Sequence, residues 1–276
     1  MISRLGVGIS VLMLIGASLT TTASAATPIP FFMFTAARFA DPDERWAIAD
    51  VLRRHVSSQD YLGRRLGEVL PELALRVGRD HLYLLAPSLA QIARHGASCG
   101  PGAPGLIIYD GEHWPQTPLA EQEDMVRAVA EGKTLARNTG CGAYGIAPDG
   151  QFLGIIPATG QYDLERSIHR RIDWDGIALF DIQAQRLLDR AGVDAYAEFV
   201  AAVAREVRAA SPTTKLVAQL SFRSTCLKTM IAASDRLAGI VDGFYIAYPR
   251  HIGPICNYCS PDNLAQMLAA LPRRSA

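Results

Sequence analysis

The chain lacks any imbalance of charge: 27 Lys and Arg face 27 Asp and Glu, and no basic run breaks the mixture. Phosphate recognition needs clustered cations, so nucleic acid is not an expected partner. No G-x-G-x-x-G turn or phosphate loop follows an apolar segment, which removes the usual nucleotide sites, and no cofactor is expected. No G-x-S-x-G elbow supports Ser–His–Asp chemistry. The six histidines show neither H-x-x-x-H nor H-x-H spacing, so no metal site is expected. Internal repeats and low-complexity linkers are also missing.

Cysteine is scarce, at five residues. Cys256-x-x-Cys259 lacks the second pair that a zinc knuckle requires. Residues 1–25 read as a secretory signal, with Arg4 in the basic region, Val7 to Ile15 as the apolar core and Ala23-Ser24-Ala25 before the cleavage point. The apolar core is shorter than the ~20 residues of a membrane span, and no later segment is long and apolar enough to be one. A secreted or periplasmic protein without a stable span is the expectation. In that compartment the cysteines are expected to form disulfides, with Cys99–Cys141 the first candidate and Cys226 with Cys256 or Cys259 the second.

What is present is material for a core. The chain is 49% hydrophobic and 20% charged, and residues 26–276 suit one α/β domain. Apolar runs suited to strands fall at Phe31 to Ala36, His81 to Ala86, Gly105 to Tyr109, Phe152 to Pro157, Gly176 to Ile182, Lys215 to Phe222 and Val241 to Tyr248. Helical patterns lie between most of them. The helix from Pro42 to Val56 opens on a capping signal. A second covers Tyr61 to Val77 with a bend at Pro71, a short one runs from Leu89 to His95, and another spans Ala120 to Arg137. The clearest helix is Asp194 to Ala210, where Tyr196, Phe199, Val200, Val203 and Val207 share one face. A final helix spans Asn263 to Leu271, and Gly140 to Gly150 reads as a loop. Alternation of this kind implies a parallel sheet. A (β/α)8-like TIM barrel with one strand weak or missing fits the length, and an open doubly wound sheet is the runner-up.

Gly105 to Pro115, GLIIYDGEHWP, organises the rest. A buried strand delivers Asp110 and Glu112 on one face at its carboxyl end, where parallel α/β folds bind ligands. The segment Asp181-Ile182-Gln183-Ala184-Gln185 places an acid and two amides on one face, a ladder suited to hydroxyl-rich ligands. Gln219, Ser221 and Arg223 alternate in the same way. Trp114 and Tyr245 offer rings that stack on a sugar face or fill the core.

These residues carry a resemblance. Tyr109-Asp110-Gly111-Glu112-His113-Trp114, followed by Thr117-Pro118 and Glu121-Gln122, resembles the YD-x-E-x-W…TP…EQ segment of a family of uncharacterised, exported bacterial proteins that look like glycoside-hydrolase-type barrels. Asp181 to Gln185 matches its DIQAQ segment, and Asp242-Gly243-Phe244-Tyr245 its DGFW-like strand. The chain departs at Gly111, where the family often has Pro or Leu, and at Ala247, where it has Asn. The resemblance implies the barrel and the place of its site.

The function these signs point to is an exported glycoside hydrolase acting on a carbohydrate, with a non-catalytic carbohydrate-binding barrel as the alternative. Glycosidic cleavage needs one carboxylic acid and one carboxylate. Glu112 is the candidate acid, held protonated against Trp114 and Tyr109. Asp110 or Asp181 is the candidate nucleophile or base, with Asp110 kept ionised by Gln183 or Gln185. Gln183, Gln185, Trp114, Tyr245, Gln219 and Arg223 are the candidate sugar contacts. Metal-dependent hydrolysis through Asp110, Glu112 and His113 ranks third.

Overall fold

A computed structural model of the chain describes residues 31–34, 42–96, 103–139, 142–223, 225–248 and 260–271. The elements run β1 (Phe31–Phe34), α1 (Pro42–His55), β2 (Tyr61–Gly63), α2 (Arg64–Val69), α3 (Pro71–Val77), β3 (Leu82–Ala86), α4 (Leu89–Gly96) and β4 (Leu106–Tyr109). After these come α5 (Leu119–Glu123), α6 (Met125–Thr139), β5 (Ala143–Ile146), β6 (Ile155–Ile156), β7 (Gln161–Tyr162) and β8 (Ile177–Ile182). The last are α7 (Gln185–Ala210), β9 (Lys215–Ser221), α8 (Leu227–Leu237), β10 (Gly243–Ala247) and α9 (Pro261–Ala270).

The strands close into a barrel in the order β1-β10-β9-β8-β5-β4-β3-β2, and every pairing in it is parallel. The TIM-type barrel expected from the sequence is the fold, with eight strands and none missing. The small β6–β7 hairpin is antiparallel and lies outside the barrel sheet.

Alternation along each strand divides the core in two. Phe31, Met33, Tyr83, Ile108, Leu179, Val217 and Tyr245 point inward and fill the barrel. Phe32, Ile107, Tyr109, Phe180, Leu216 and Phe244 point outward and join the helices in the larger cluster. The apolar stripe read on the last half of α7 sits against that outer face: Tyr196, Phe199, Val200, Val203 and Val207 are each 0% exposed. Each such apolar side chain contributes about 1.5–3 kcal/mol by leaving water. The Tyr196 hydroxyl also donates to the Gln219 carbonyl at 2.8 Å, tying the helix to β9.

Four sequence expectations give way. Tyr61 to Gly63 is a strand rather than the start of a helix, and the helical pattern after it breaks into α2 and α3 at Leu70 and Pro71, because Pro71 lacks an N–H and suits only a first helical turn. The fifth barrel strand is β5, inside the glycine-rich stretch read as a loop. Phe152 to Pro157 is not a barrel strand: it forms turns and one arm of the β6–β7 hairpin. In α7 the helical run continues upstream to Gln185 across a kink at Gly192, whose φ of 85° is left-handed and open to glycine at little cost. Among the described residues no helix is long and apolar enough to cross a membrane. The secretory signal and Cys99, Cys141, Cys256 and Cys259 lie outside the described residues, and Cys226 is a free thiol with Sγ 3.1 Å from Thr229 Oγ1.

Candidate active site

Strand β4 presents Leu106 and Ile108 to the barrel interior, so Asp110, one step past its end, emerges on the same side. Its backbone N–H extends the ladder by donating to the Ala86 carbonyl at 2.9 Å. Strand β8 contributes Asp181 and then Gln183 by the same alternation. All three are buried, at 9%, 3% and 4% exposure for Asp110, Asp181 and Gln183. Gln183 Nε2 donates to Asp110 Oδ1 at 2.9 Å and to the Ala147 carbonyl at 2.7 Å. Asp110, Asp181, Gln183 and Glu112 therefore converge at one mouth, the carboxyl end of the barrel.

Above this floor lies a cavity of about 800 Å³. Glu112 lines it together with Gln219, Ser221 and Arg223 from β9 and its exit, and Gln185, Arg186, Asp189 and Arg190 from the first turns of α7. Pro157 and Ala158 of the β6–β7 hairpin form its outer wall. A second pocket of about 30 Å³ adjoins it between Glu112, Asp149, Gln183 and Gln185, large enough for a water molecule. The oxygens Asp181 Oδ1, Gln185 Oε1 and Gln219 Oε1 are buried without a hydrogen-bond partner, which is costly unless a ligand, a water or a proton satisfies them.

Asp110, Glu112 and Asp181 are each shifted upward. Burial pushes Asp110 up to about 8, helped by the charges of Glu112 and Asp149 and opposed by the Gln183 amide. Burial also pushes Glu112 up to about 7, with Asp149 adding to it and Gln183, Arg186 and Arg223 opposing. Asp181 is held well above the usual carboxylate range, first by burial and then by repulsion from Asp110 and Glu112. Such a set titrates in steps that belong to the group rather than to one residue. The expectation that Asp110 stays ionised beside a protonated Glu112 does not hold. One hydrogen bond from Gln183 does not offset the desolvation of a carboxylate deeper than Glu112 and farther from the arginines.

The remaining candidates divide. Gln185, Gln219 and Arg223 are at the cavity. Tyr245 is not: it sits beside Gln219 in the sheet and packs inward in the barrel-filling layer. Trp114 is also outside the lining, because its indole N–H donates to Thr117 Oγ1 at 2.9 Å and its carbonyl accepts from Gln122 Nε2 at 3.0 Å. Thr117 Oγ1 donates in turn to the Pro87 carbonyl at 2.8 Å. Tyr109 faces the helices, with its hydroxyl donating to Glu121 Oε2 at 2.8 Å, so it supplies no surface to Glu112. The TP and EQ elements of the motif thus brace the loop that carries Glu112. Asp242 serves structure as well, accepting from Arg208 Nη2 at 3.0 Å and from the Leu216 N–H at 2.8 Å. His113 turns to Asp149 Oδ2, 3.2 Å away, and its ring stacks on Phe152 at 4.0 Å. Arg186, Asp189 and Arg190 escaped the sequence reading. Their signal was the i, i+4 spacing of Arg186 and Arg190 directly after Gln185.

No family profile matches the chain, and no characterised protein matches it in sequence. Among solved structures it is similar in overall shape to a truncated 3-deoxy-D-arabino-heptulosonate 7-phosphate synthase from Thermotoga maritima, at 9% identity and TM-score 0.49, covering 90% of this chain and 88% of that one. It is also similar to the catalytic domain of a family GH18 chitinase from the fern Peteris ryukyuensis, at 14% identity and TM-score 0.44, covering 87% and 99%. An N-acetylneuraminate lyase from Fusobacterium nucleatum matches at 13% identity and TM-score 0.42, covering 87% and 79%.

Proposed function

We propose that the protein is a carbohydrate-active enzyme, a glycoside hydrolase, in which Glu112 exchanges a proton with the sugar and Asp110 and Asp181 hold the rest of a shared charge beneath it. The observation that carries this reading is the convergence of three mutually repelling carboxyls at one cavity, with Asp110 and Asp181 buried beneath it and the half-buried Glu112 reaching its wall. Crowded carboxyls do not all ionise together near neutral pH, so protonated and ionised groups coexist, as glycosidic cleavage requires. A carboxyl poised near 7 is suited both to give a proton to a leaving oxygen and to take one from water. The small pocket between Glu112 and Asp149 is a place for that water. Gln185, Gln219 and Ser221 supply acceptors and donors for hydroxyl groups along the cavity.

A carbohydrate-binding barrel without turnover is the second reading, favoured by the depth of Asp110 and Asp181, which leaves Glu112 as the carboxyl of the trio at the cavity wall. The two separate in a polysaccharide panel scored for both binding and released sugar. Release supports the hydrolase. Binding without release supports the second reading, and a panel with neither overturns the carbohydrate assignment.

A further inference from the structure

Three guanidiniums border the cavity, and the carboxyl chemistry does not use them as ion-pair partners. Arg186 and Arg190 lie one turn apart on α7, and Arg223 comes from the far side, just past β9. Among the described residues none of the three forms a side-chain hydrogen bond or salt bridge, although Arg186 and Arg223 are close enough to Glu112 to favour its charge. Like charges four apart on a helix repel, so Arg186 and Arg190 cost the helix a little and need something that favours them together. The stem of Arg190 is set by close packing: Gly160, at φ 67°, lies so near that an added Cβ would fall 2.6 Å from Arg190 Cβ. Beside these cations the buried, unpartnered Gln219 oxygen at 8% residue exposure faces the same space.

We propose that the carbohydrate bound here is acidic, carrying a carboxylate or sulfate that Arg186, Arg190 and Arg223 hold while Gln185 and Gln219 accept from neighbouring hydroxyls. This rests on the carbohydrate reading above. A guanidinium presents paired donors in a plane that matches an oxyanion, and three converging from two elements exceed what the half-buried Glu112 needs. The lining sets Arg186, Arg190 and Arg223 against two carboxyls, Glu112 and Asp189, so cationic side chains are in excess there.

The test is calorimetric binding to matched oligosaccharides: oligogalacturonate against its methyl ester, and a sulfated oligosaccharide against its desulfated form. The acidic member of one pair is expected to bind at least about 10-fold more tightly, with the difference shrinking as salt rises. Which pair shows it identifies the anion. Arg190→Ala and Arg223→Ala are each expected to weaken the acidic ligand about 10-fold, and Arg190→Ala to leave any residual affinity for its neutral form unchanged, with thermal midpoints near that of the unaltered chain. Equal binding within both pairs overturns the anionic subsite and leaves the carbohydrate reading standing. Failure to bind these four, when the polysaccharide panel reveals a neutral ligand, also overturns it. Failure of both sets removes the carbohydrate reading itself.

Discussion

Gln183 reaches across the barrel mouth from β8, past β5, and donates to Asp110 at the end of β4 over 2.9 Å. Its second N–H goes to the Ala147 carbonyl at 2.7 Å. One amide thereby fixes both the orientation of a buried carboxyl and the exit of the strand between.

Gln183→Leu keeps the volume and removes both donors. A buried acceptor left unpaired costs about 1–3 kcal/mol, and two are exposed to that cost here. Denaturant unfolding is expected to show a loss of roughly 2 kcal/mol or more. A variant as stable as the unaltered chain contradicts the role of this amide.

Asp110 gives the fold a pH dependence of known sign. Its carboxyl is raised from 3.8 to about 8, so the folded state binds a proton that the unfolded state releases. Its contribution is complete below pH ~4, the ordinary Asp value, and is lost as the pH climbs through the folded value. The slope is at most about 1.4 kcal/mol per pH unit for one group. Asp110→Asn is expected to flatten the decline in stability between pH 5 and 8. Parallel curves for the two proteins count against a raised Asp110.

Ser167, His169 and Glu206 stand in a line, with Ser167 Oγ 2.5 Å from His169 Nδ1 and Glu206 Oε2 2.9 Å from its Nε2. The order imitates a nucleophile, a base and an acid, yet Ser167 is 0% and His169 2% exposed, and neither lines the cavity. The group braces the turns before β8. Ser167→Ala is expected to lower stability by about 1–3 kcal/mol and to leave ligand affinity unchanged. Loss of turnover with full stability reverses that assignment.

Gly160→Ala forces an L-residue into left-handed backbone and its Cβ against Arg190. A destabilisation of about 1–2 kcal/mol is expected, together with weaker binding of the acidic oligosaccharide, because Arg190 must shift. Unchanged affinity for that ligand separates Arg190 from the hairpin.

Strong periodicity was the legible part of the sequence. The stripe on α7 and the strands at Leu106 and Ile177 announced themselves because their burial is continuous. The two strands that escaped, Tyr61–Gly63 and Ala143–Ile146, are short, and each contains a glycine. Their strand state is imposed by neighbours in a closed barrel rather than by local preference. Period-two alternation put Asp110 and Glu112, Asp181 and Gln183, and Gln219 and Arg223 on common faces of their strands. It could not tell depth, which is why Tyr245 and Trp114 looked like sugar contacts and why Asp110 looked ionised. Depth depends on the hairpin and on α7, which close the mouth from far away in sequence. Arg186 and Arg190 lie upstream of the helix read from Asp194, and only the helical run back to Gln185 brings them to the cavity.

The most direct measurement is the rate of sugar release by Glu112→Gln, on a glycan that the unaltered protein binds and cleaves, with affinity measured on the same samples. Gln keeps the shape and hydrogen bonding of Glu112 but cannot exchange its proton. General acid–base help contributes about 10²–10⁴-fold, so turnover is expected to fall by that factor while affinity stays within about threefold. A variant that releases sugar at near the original rate contradicts the assignment of Glu112 as the proton-handling residue.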